Sequence, residues 1–283
     1  MDPDKPFTGR VTSFFGSKGG VGSSTLAHNI AWTLAQTISQ QTALVDLDAS
    51  WGTTGLDFAY DNSQGLEEAL AEPDRLDETL LDRIMLRHTE NLSILPAGGS
   101  LGNAPIMAPD AYEKVVDVVR SVSPMTILDM PHYWSDWTSR ILVGSDDVVI
   151  TATPDLASLR NTKNLIDYLR EHRPNDPDPI LILNRTGATK TNEITVKEFG
   201  SMVGLDPAVA LAFDPEVYIQ ATAEGKMLSE IKTAAGHVTG FEMIASRLKT
   251  GRYPDLTATS GKKKKGKSGS GASKSLFAKL KGK

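Results

Sequence analysis

The fold is decided by one stretch near the N-terminus, Gly16-Ser17-Lys18-Gly19-Gly20-Val21-Gly22-Ser23-Ser24-Thr25. A short apolar strand candidate, Val11–Phe15, precedes it, and an apolar-periodic helix begins near Ser24. Glycines let the backbone turn its N–H groups inward, and the following helix N-terminus adds positive potential to such a nest. An ordinary glycine-rich turn is the alternative. The order of lysine, glycine and hydroxyl residues between a strand and a helix favours a phosphate-binding loop.

The loop lacks the lysine that most phosphate-binding loops carry. The usual pattern Gly-x-x-x-x-Gly-Lys-[Ser/Thr] has lysine where this chain has Ser23. Lys18 stands near the start of the loop instead, and Ser24 takes the hydroxyl position that contacts Mg²⁺ in such loops. The residues that we expect to hold phosphate are Lys18, Gly19, Gly20, Val21, Gly22, Ser23, Ser24 and Thr25.

Acidic residues end two further strand candidates. The run 43–48 ends in Asp46 and Asp48, and alternation along a strand puts both on the same side. Active groups of open parallel sheets gather at this edge, so we expect both to face the phosphates, Mg²⁺ or an attacking water. Acids that only cap the next loop are the alternative. Met125–Asp129 repeats the pattern, and we assign Asp129 to the Mg²⁺ side.

Strand and helix patterns alternate along the rest of the chain, which predicts an α/β fold with a mostly parallel twisted sheet and helices on both faces. The further strand candidates are 92–96, 147–153 and 179–184, and the helix candidates are 24–40, 111–121, 156–172, 194–203 and 241–248, with two short helices inside 61–90. Residues 97–100 are interpreted as a turn. His28 shows no metal-ligand pattern with the other histidines and is interpreted as structural.

Composition excludes several classes of protein. The 283 residues include no cysteine, which excludes disulfides and thiolate metal sites, and 40% of them are hydrophobic, enough for a globular core. The first residues lack the basic flank and apolar core of a signal peptide, and no apolar run approaches the roughly 18 residues of a membrane span. We therefore expect a cytoplasmic protein.

Charge is distributed unevenly. The last 22 residues carry nine lysines and no acid, so the net charge of -5 leaves -14 on the rest. An acidic body makes nucleic acid an unexpected partner for its own surface. The tail combines lysines, worth about 1 kcal/mol each near an anionic membrane, with Leu276, Phe277 and Leu280 on one helical face. This predicts reversible membrane contact, with a solubilising tail or an anionic-polymer contact as the alternative.

The early lysine of the glycine-rich loop, the strand-end acids and the βα alternation resemble the MinD/ParA group of P-loop ATPases over most of residues 10–250. The resemblance implies a P-loop NTPase fold, ATP and Mg²⁺ as cofactors, and a homodimer that forms on ATP binding. It implies that Lys18 reaches the partner's nucleotide and that Asp48 positions water, the two catalytic roles. Asn184 closes a strand where the group uses an asparagine for the adenine base, and we include Arg185 in the nucleotide-binding set.

Local phrases narrow the resemblance to the CpaE/TadZ branch, the ATPases of Flp-type (tight-adherence) pilus assembly. These phrases are the loop itself through Asn29, the segment 129–132 with Trp134 and Trp137, and Ser158–Asn161. The branch implies a localisation factor that places pilus secretion machinery at a cell pole or the inner membrane. Members often carry a receiver-like domain before the ATPase, and only about ten residues precede the first strand here.

Three functions fit this sequence. The first is a dimerising ATP switch with weak Mg²⁺-dependent hydrolysis, which we expect to be slow because Ser23 removes one charge from the phosphates. The second is a nucleotide-binding scaffold without turnover, and the third a ParA-like partition ATPase that uses its basic tail on DNA. The predicted organisation is a lead over 1–10, the ATPase domain over 11–250, a Lys/Gly/Ser-rich linker over 251–274 and a basic amphipathic tail over 275–283.

Overall fold

The computed structural model describes residues 7–60, 65–98, 109–189 and 191–253. Its strands are β1 (Arg10–Gly16), β2 (Thr42–Asp46), β3 (Leu86–Arg87), β4 (Leu92–Leu95), β5 (Met125–Asp129), β6 (Asp147–Ala152), β7 (Ile180–Thr186) and β8 (Val209–Ala212). They form one eight-stranded sheet in the order β3-β4-β2-β5-β1-β6-β7-β8. Every neighbouring pair is parallel except β3 with β4, so the predicted mostly parallel sheet is confirmed.

Helices connect the strands. They are α1 (Ser23–Trp32), α2 (Thr54–Asp57), α3 (Gly65–Ala71), α4 (Glu78–Ile84), α5 (Pro109–Val122), α6 (Asp136–Gly144), α7 (Leu156–His172), α8 (Val196–Val203), α9 (Pro215–Glu224) and α10 (Ala235–Thr250). The predicted helix 24–40 is α1 followed by a π-helical segment, Thr33–Thr37. Parallel neighbours need such crossovers because a tight turn can join only antiparallel strands.

The helices cover both faces of the sheet because alternate strand residues point to opposite sides. Val11, Val45 and Leu128 belong to one buried cluster, which also contains apolar residues of α3 to α8. Phe14 and Ile127, which lie on the opposite face of β1 and β5, belong to a second cluster with residues of α1, α9 and α10. The strand interiors are therefore uncharged and mostly apolar, with a few buried hydroxyl residues such as Thr12, Thr126 and Thr151, and charged groups are confined to the strand ends.

The structure corrects one step of the sequence argument. β2 ends at Asp46, so Asp48 lies in the following loop, and strand alternation does not determine where its side chain points. The sequence also missed α6, which begins two residues after Trp134, and β8 at the sheet edge. Helix α6 begins with a capping box in which Ser135 accepts from the N–H of Thr138, a pattern hidden by the surrounding aromatic residues.

Several predicted segments lie outside the described residues. They are residues 1–6, Gly99 and Ser100 of the predicted turn, and everything from 254 onward, which includes most of the predicted linker and the whole amphipathic tail. Among the described helices, none combines the length and the hydropathy that a membrane-spanning segment needs.

Candidate functional site

The glycine-rich loop runs from the end of β1 to the start of α1, at the carboxyl edge of the sheet. Gly20 and Gly22 adopt left-handed backbone angles, with φ of 75° and 91°. Side chains rarely tolerate this region, which explains glycine at both positions. Gly22 is also the residue before the first turn of α1, so the unpaired N–H groups of that helix begin where the loop ends. This arrangement has the backbone geometry of an anion-binding nest.

Two side chains from distant elements hold the first residues of the loop. Asn161 in α7 donates from Nδ2 to the carbonyl oxygen of Ser17 at 2.9 Å. His132, after β5, donates from Nδ1 to the carbonyl oxygen of Gly16 at 3.0 Å. The hydroxyls of Ser17 and Ser158 are also hydrogen-bonded. Side chains of residues that follow β5 and β6 therefore hold the start of the loop.

A cleft of about 320 Å³ opens beside the loop. Its lining includes the predicted phosphate-binding residues 18–25, together with Asp46, Asp48, Asp129 and Arg185. Every predicted site residue except Asn184 thus faces one cavity. The structure brings together groups that lie as far apart in sequence as Lys18 and Arg185, because the carboxyl ends of parallel strands share one edge of the sheet.

The carboxylate of Asp46 is fully buried and bonded to its own loop. Its Oδ1 accepts from the N–H of Asp48 at 3.0 Å, and its Oδ2 accepts from the Thr54 hydroxyl at 2.8 Å and N–H at 3.2 Å. Burial, together with the nearby charge of Asp129, raises the pKa of Asp46 above its usual range. Asp46 therefore fixes the shape of the 46–54 loop while lining the cleft.

Asp48 is only partly buried, and its Oδ1 accepts from the N–H of Trp51 at 3.0 Å. Partial burial raises the pKa of its carboxyl, although backbone N–H groups of the same loop oppose that shift. The loop, and not a strand, turns this side chain toward the glycine-rich loop. Asp48 is thus more accessible than Asp46, the last residue of β2, and its carboxylate can contact a water in the cleft.

Asp129 has a buried histidine as its neighbour. His28 in α1 lies with Nε2 3.3 Å from Asp129 Oδ2 and with Nδ1 2.8 Å from Asp57 Oδ2. The Thr54 hydroxyl donates to Asp46, so it accepts the proton of His28 Nε2, 2.8 Å away. Burial opposes the charged ring, but the carboxylates of Asp129 and Asp57, which face its two nitrogens, outweigh burial and raise the pKa of His28 to about 10. A pKa in this range favours the charged form of the His28 ring beside Asp129.

Two buried oxygen atoms of this cleft have no hydrogen-bond partner, Oδ1 of Asp129 and Oγ of Ser23. Buried polar atoms are normally satisfied, so unpaired ones at a cleft are candidates for ligand contact. Within the described residues, no group of three or more histidine, aspartate or glutamate side chains is arranged to hold a metal. One carboxylate, a serine hydroxyl and ligand phosphates form the oxygen set that Mg²⁺ usually takes, so Ser24 and Asp129 fit that ion.

Lys18 is paired within the chain. Its Nζ lies 2.8 Å from Oδ2 of Asp155, the residue that caps the N-terminus of α7. Partial burial opposes it, yet the hydrogen bond from Lys18, with those from Thr153 and the N–H of Ser158, lowers the pKa of Asp155. Sequence reasoning missed Asp155. Its signal was the capping pattern, an aspartate three residues before Ser158 at the start of a helix.

A second cavity, of about 250 Å³, adjoins the loop on the other side. Its lining includes Asn184, Arg185, Phe213 and Tyr218, as well as Gly22. Asn184 donates from Nδ2 to the carbonyl oxygen of Val21 at 2.9 Å, while its Oδ1 accepts from the N–H of Arg185 at 2.9 Å. Phe213 and Tyr218 supply aromatic surface. A cavity with this lining fits a planar base, and Asn184 keeps one N–H free for it.

Comparison with known proteins gives a consistent result. A family model described as an AAA domain matches residues 9–178. The putative septum site-determining protein MinD of Guillardia theta is 23% identical over 248 residues, which cover 84% of this chain and 88% of that protein. A ParA family protein of Mycoplasma pneumoniae is 27% identical over 193 residues, 58% of this chain and 67% of that protein.

Solved structures show the same fold. A ParA family ATPase from Chlorobium tepidum superposes with a TM-score of 0.75 at 23% identity, covering 85% of this chain and 99% of that one. The septum site-determining protein MinD of Pyrococcus horikoshii, solved with Mg-ADP, gives 0.73 at 19% identity and covers 89% and 99%. At identities of 19 to 23%, these superpositions support the fold alone. That fold agrees with the P-loop NTPase architecture expected from the sequence.

Proposed function

Because the chain belongs to the AAA-domain family, as a P-loop ATPase of MinD/ParA type, we propose that it is an ATP-dependent switch that dimerises with ATP and Mg²⁺ and hydrolyses ATP slowly. The observation that carries this proposal is one cleft in which the glycine nest meets Asp48 and Asp129. A nest of N–H groups suits phosphate, and the acids suit a metal ion and a water.

Each residue has a proposed task. Ser24 and Asp129 would hold Mg²⁺, which neutralises phosphate charge when bound. Asp48 would accept a hydrogen bond from the attacking water and orient it. Ser23 cannot supply the charge of the usual lysine, and loss of one preorganised electrostatic contact costs about 10² to 10³ in rate. Binding with slow turnover follows from this combination.

Dimerisation is supported by the surface around the cleft. Lys18 lies at the cleft mouth with a side chain that is 37% exposed. Large apolar side chains are exposed near it: Trp51 (69%) lines the cleft, Leu156 (75%) follows Asp155, and Trp134 (49%) lies on the loop after β5. Large apolar side chains exposed together on a surface are typical of an interaction site. We propose that Lys18 reaches the partner's phosphates there.

The cellular task that we propose is localisation and assembly of a Flp-type pilus secretion system, at a cell pole or the inner membrane. Its support is the phrases that resemble the CpaE/TadZ branch, together with the basic tail as a membrane contact. A ParA-like partition ATPase is the second candidate, supported by relatives named as a ParA family protein and as a chromosome partitioning protein ParA. Salt-sensitive binding of duplex DNA that is lost with residues 262–283 would favour it, whereas tail-dependent liposome flotation would favour the first.

The oligomeric state of the protein in solution tests the proposed ATP-dependent dimerisation. We expect wild-type protein to be monomeric alone and dimeric with ATP and Mg²⁺ in light scattering, and Lys18→Ala to stay monomeric. Lys163→Ala is the matched control, because Lys163 pairs with Asp167 on the outer face of α7. A wild-type chain that stays monomeric with ATP would remove the dimer mechanism, and phosphate release over time separates slow hydrolysis from a non-hydrolysing scaffold.

A further inference from the structure

The cleft has little positive charge for a triphosphate. Three carboxylates line it, those of Asp46 and Asp129 at strand ends and that of Asp48 in the loop after β2. The lysine and arginine side chains in its lining are Lys18 and Arg185. Lys18 is already paired with Asp155 at 2.8 Å. The position that usually carries lysine is Ser23, whose buried Oγ has no hydrogen-bond partner. Mg²⁺ held by Ser24 and Asp129 would offset part of this negative charge, and a triphosphate placed among these carboxylates is further stabilised by a cationic side chain of the same subunit.

Arg185 is placed to provide it. It follows Asn184 near the end of β7 and belongs to the lining of both cavities, the 320 Å³ cleft of the loop and the 250 Å³ cavity beside it. A nucleotide that occupied both would pass this residue at the junction between base and phosphates. The residues shared by the two linings are Gly22, Thr25 and Arg185, and Arg185 is the charged one.

The backbone at Arg185 is held in an uncommon conformation. Its φ is 57°, a left-handed value that costs a non-glycine residue about 1 to 2 kcal/mol. The Asn184 side chain accepts from the N–H of Arg185 and donates to the carbonyl oxygen of Val21, which ties this turn to the glycine-rich loop. Backbone strain kept by such contacts is often found at functional sites. The turn therefore has a fixed position relative to the phosphate nest.

The guanidinium of Arg185 has no ion pair or hydrogen bond among the described residues, and its side chain is exposed. By contrast, Arg10, Arg140 and Arg170 each pair with an acid. An arginine fork binds phosphate oxygens in two parallel hydrogen bonds, so a free one at the phosphate cleft is suited to that ligand.

We propose that Arg185 binds the phosphates of the nucleotide within its own subunit and supplies the positive charge that Ser23 does not. The inference rests on the proposed ATP-binding function and deepens it. Arg185 approaches from the side of β7, whereas a lysine at Ser23 would lie within the loop. Arg185 would thereby keep the positive charge that binds the phosphates. It would not replace the contact that a lysine at position 23 makes from within the loop and that favours hydrolysis.

Calorimetric titration with ATP, ADP and AMP in Mg²⁺ tests the proposal. Arg185→Gln removes the charge and keeps the length. We expect ATP to bind about tenfold more weakly or worse, AMP to change by less than about threefold, and ADP to lie between them. Arg185→Lys should recover part of the ATP affinity. Arg75→Gln, at an exposed surface pair with Glu72, is the control for net charge and should change nothing.

A second background tests compensation. In Ser23→Lys protein the loop has its lysine again, so Arg185→Gln should cost less than about threefold in ATP affinity. An equal loss for all three nucleotides would assign Arg185 to the base or ribose and overturn the proposal, as would unchanged ATP binding or a full tenfold loss in the Ser23→Lys background. If wild-type protein bound no nucleotide, the proposed function itself would fail, a result distinct from these.

Discussion

Lys18 Nζ and Asp155 Oδ2 lie 2.8 Å apart. The lysine that we expect to reach the partner's phosphates is therefore paired with an acid of its own chain in this structure. Both side chains are partly exposed, and such pairs contribute about 0.2 to 1 kcal/mol. The pair is therefore weak enough to break when a better anion is offered. The pair therefore favours the conformation in which Lys18 contacts its own subunit, but only by a small free energy.

Asp155→Asn tests this bias. Removing the charge frees Lys18, so we expect the ATP concentration for half-maximal dimerisation to fall by about two- to fivefold. Asparagine is as good an N-cap as aspartate, so α7 should keep its first turn. Light scattering across an ATP titration measures the shift. Asp167→Asn, which breaks the Lys163 pair on α7, should leave the midpoint unchanged; a rise in the midpoint for Asp155→Asn would contradict the idea of a competing contact.

Alanine substitutions of two loop glycines distinguish backbone strain from the steric clash of an added Cβ atom. Gly20 and Gly22 both have left-handed φ, so alanine at either position costs about 1 to 2 kcal/mol. A Cβ at Gly22 would lie 2.7 Å from Asn184 Nδ2, whereas nothing lies within 4 Å of one at Gly20. We expect Gly22→Ala to lose nucleotide binding by calorimetry and Gly20→Ala to weaken it by less than about tenfold. Equal losses would show that strain alone matters.

The sequence predicted most of the sheet and the cleft because those signals are local. Asp129 ends an apolar run, and the loop residues follow each other in order, so both could be recognised without knowing the fold. His28 was interpreted as structural, and the structure gives it the more specific position of a cation between Asp129 and Asp57. Its partner Asp57 lies 29 residues away, in a helix of four residues.

Other contacts of the site depend on tertiary structure that no short pattern specifies. Asn161 and Ser17 are 144 residues apart, and their hydrogen bond exists because α7 packs beside the loop. Asp155 is similar: the capping pattern indicated a helix start, but only the order of strands in the sheet puts that start next to Lys18. The loop after β2 was missed for another reason: the sequence pattern extended the predicted strand to residue 48, two residues beyond its end at Asp46.

His28→Asn should destabilise the protein. It removes a buried cation and leaves the carboxylates of Asp129 and Asp57 without that partner. Breaking a buried pair costs about 3 to 5 kcal/mol, which chemical denaturation at pH 6 would measure. The control is His172→Asn, because His172 is exposed near the end of α7. A loss below about 1 kcal/mol would mean that the acids here are neutral or otherwise satisfied.

The contribution of His28 should also depend on pH. Its pKa is raised from 6.5 to about 10 in the folded chain, so its stabilising effect is complete below about pH 6.5 and is lost as pH rises through 10. The difference in unfolding free energy between wild type and His28→Asn should therefore shrink steadily from pH 6.5 to pH 10. A constant difference over that window would show that the ring is neutral when folded.

Substitutions of Asp48 and Asp129 should have different effects on the rate of hydrolysis and on its dependence on Mg²⁺. Asp48 is the more accessible acid, with one hydrogen bond from the N–H of Trp51, so Asp48→Asn should lower phosphate release by about 10² or more and leave ATP affinity nearly unchanged. Asp129 has a buried oxygen without a partner, so Asp129→Asn should raise the Mg²⁺ concentration needed for ATP binding. Single-turnover assays over a Mg²⁺ series distinguish the two effects, since only the second can be relieved by more metal. If excess Mg²⁺ restored Asp48→Asn, that residue would belong to the metal site, and the water-positioning role would pass to another group of the cleft.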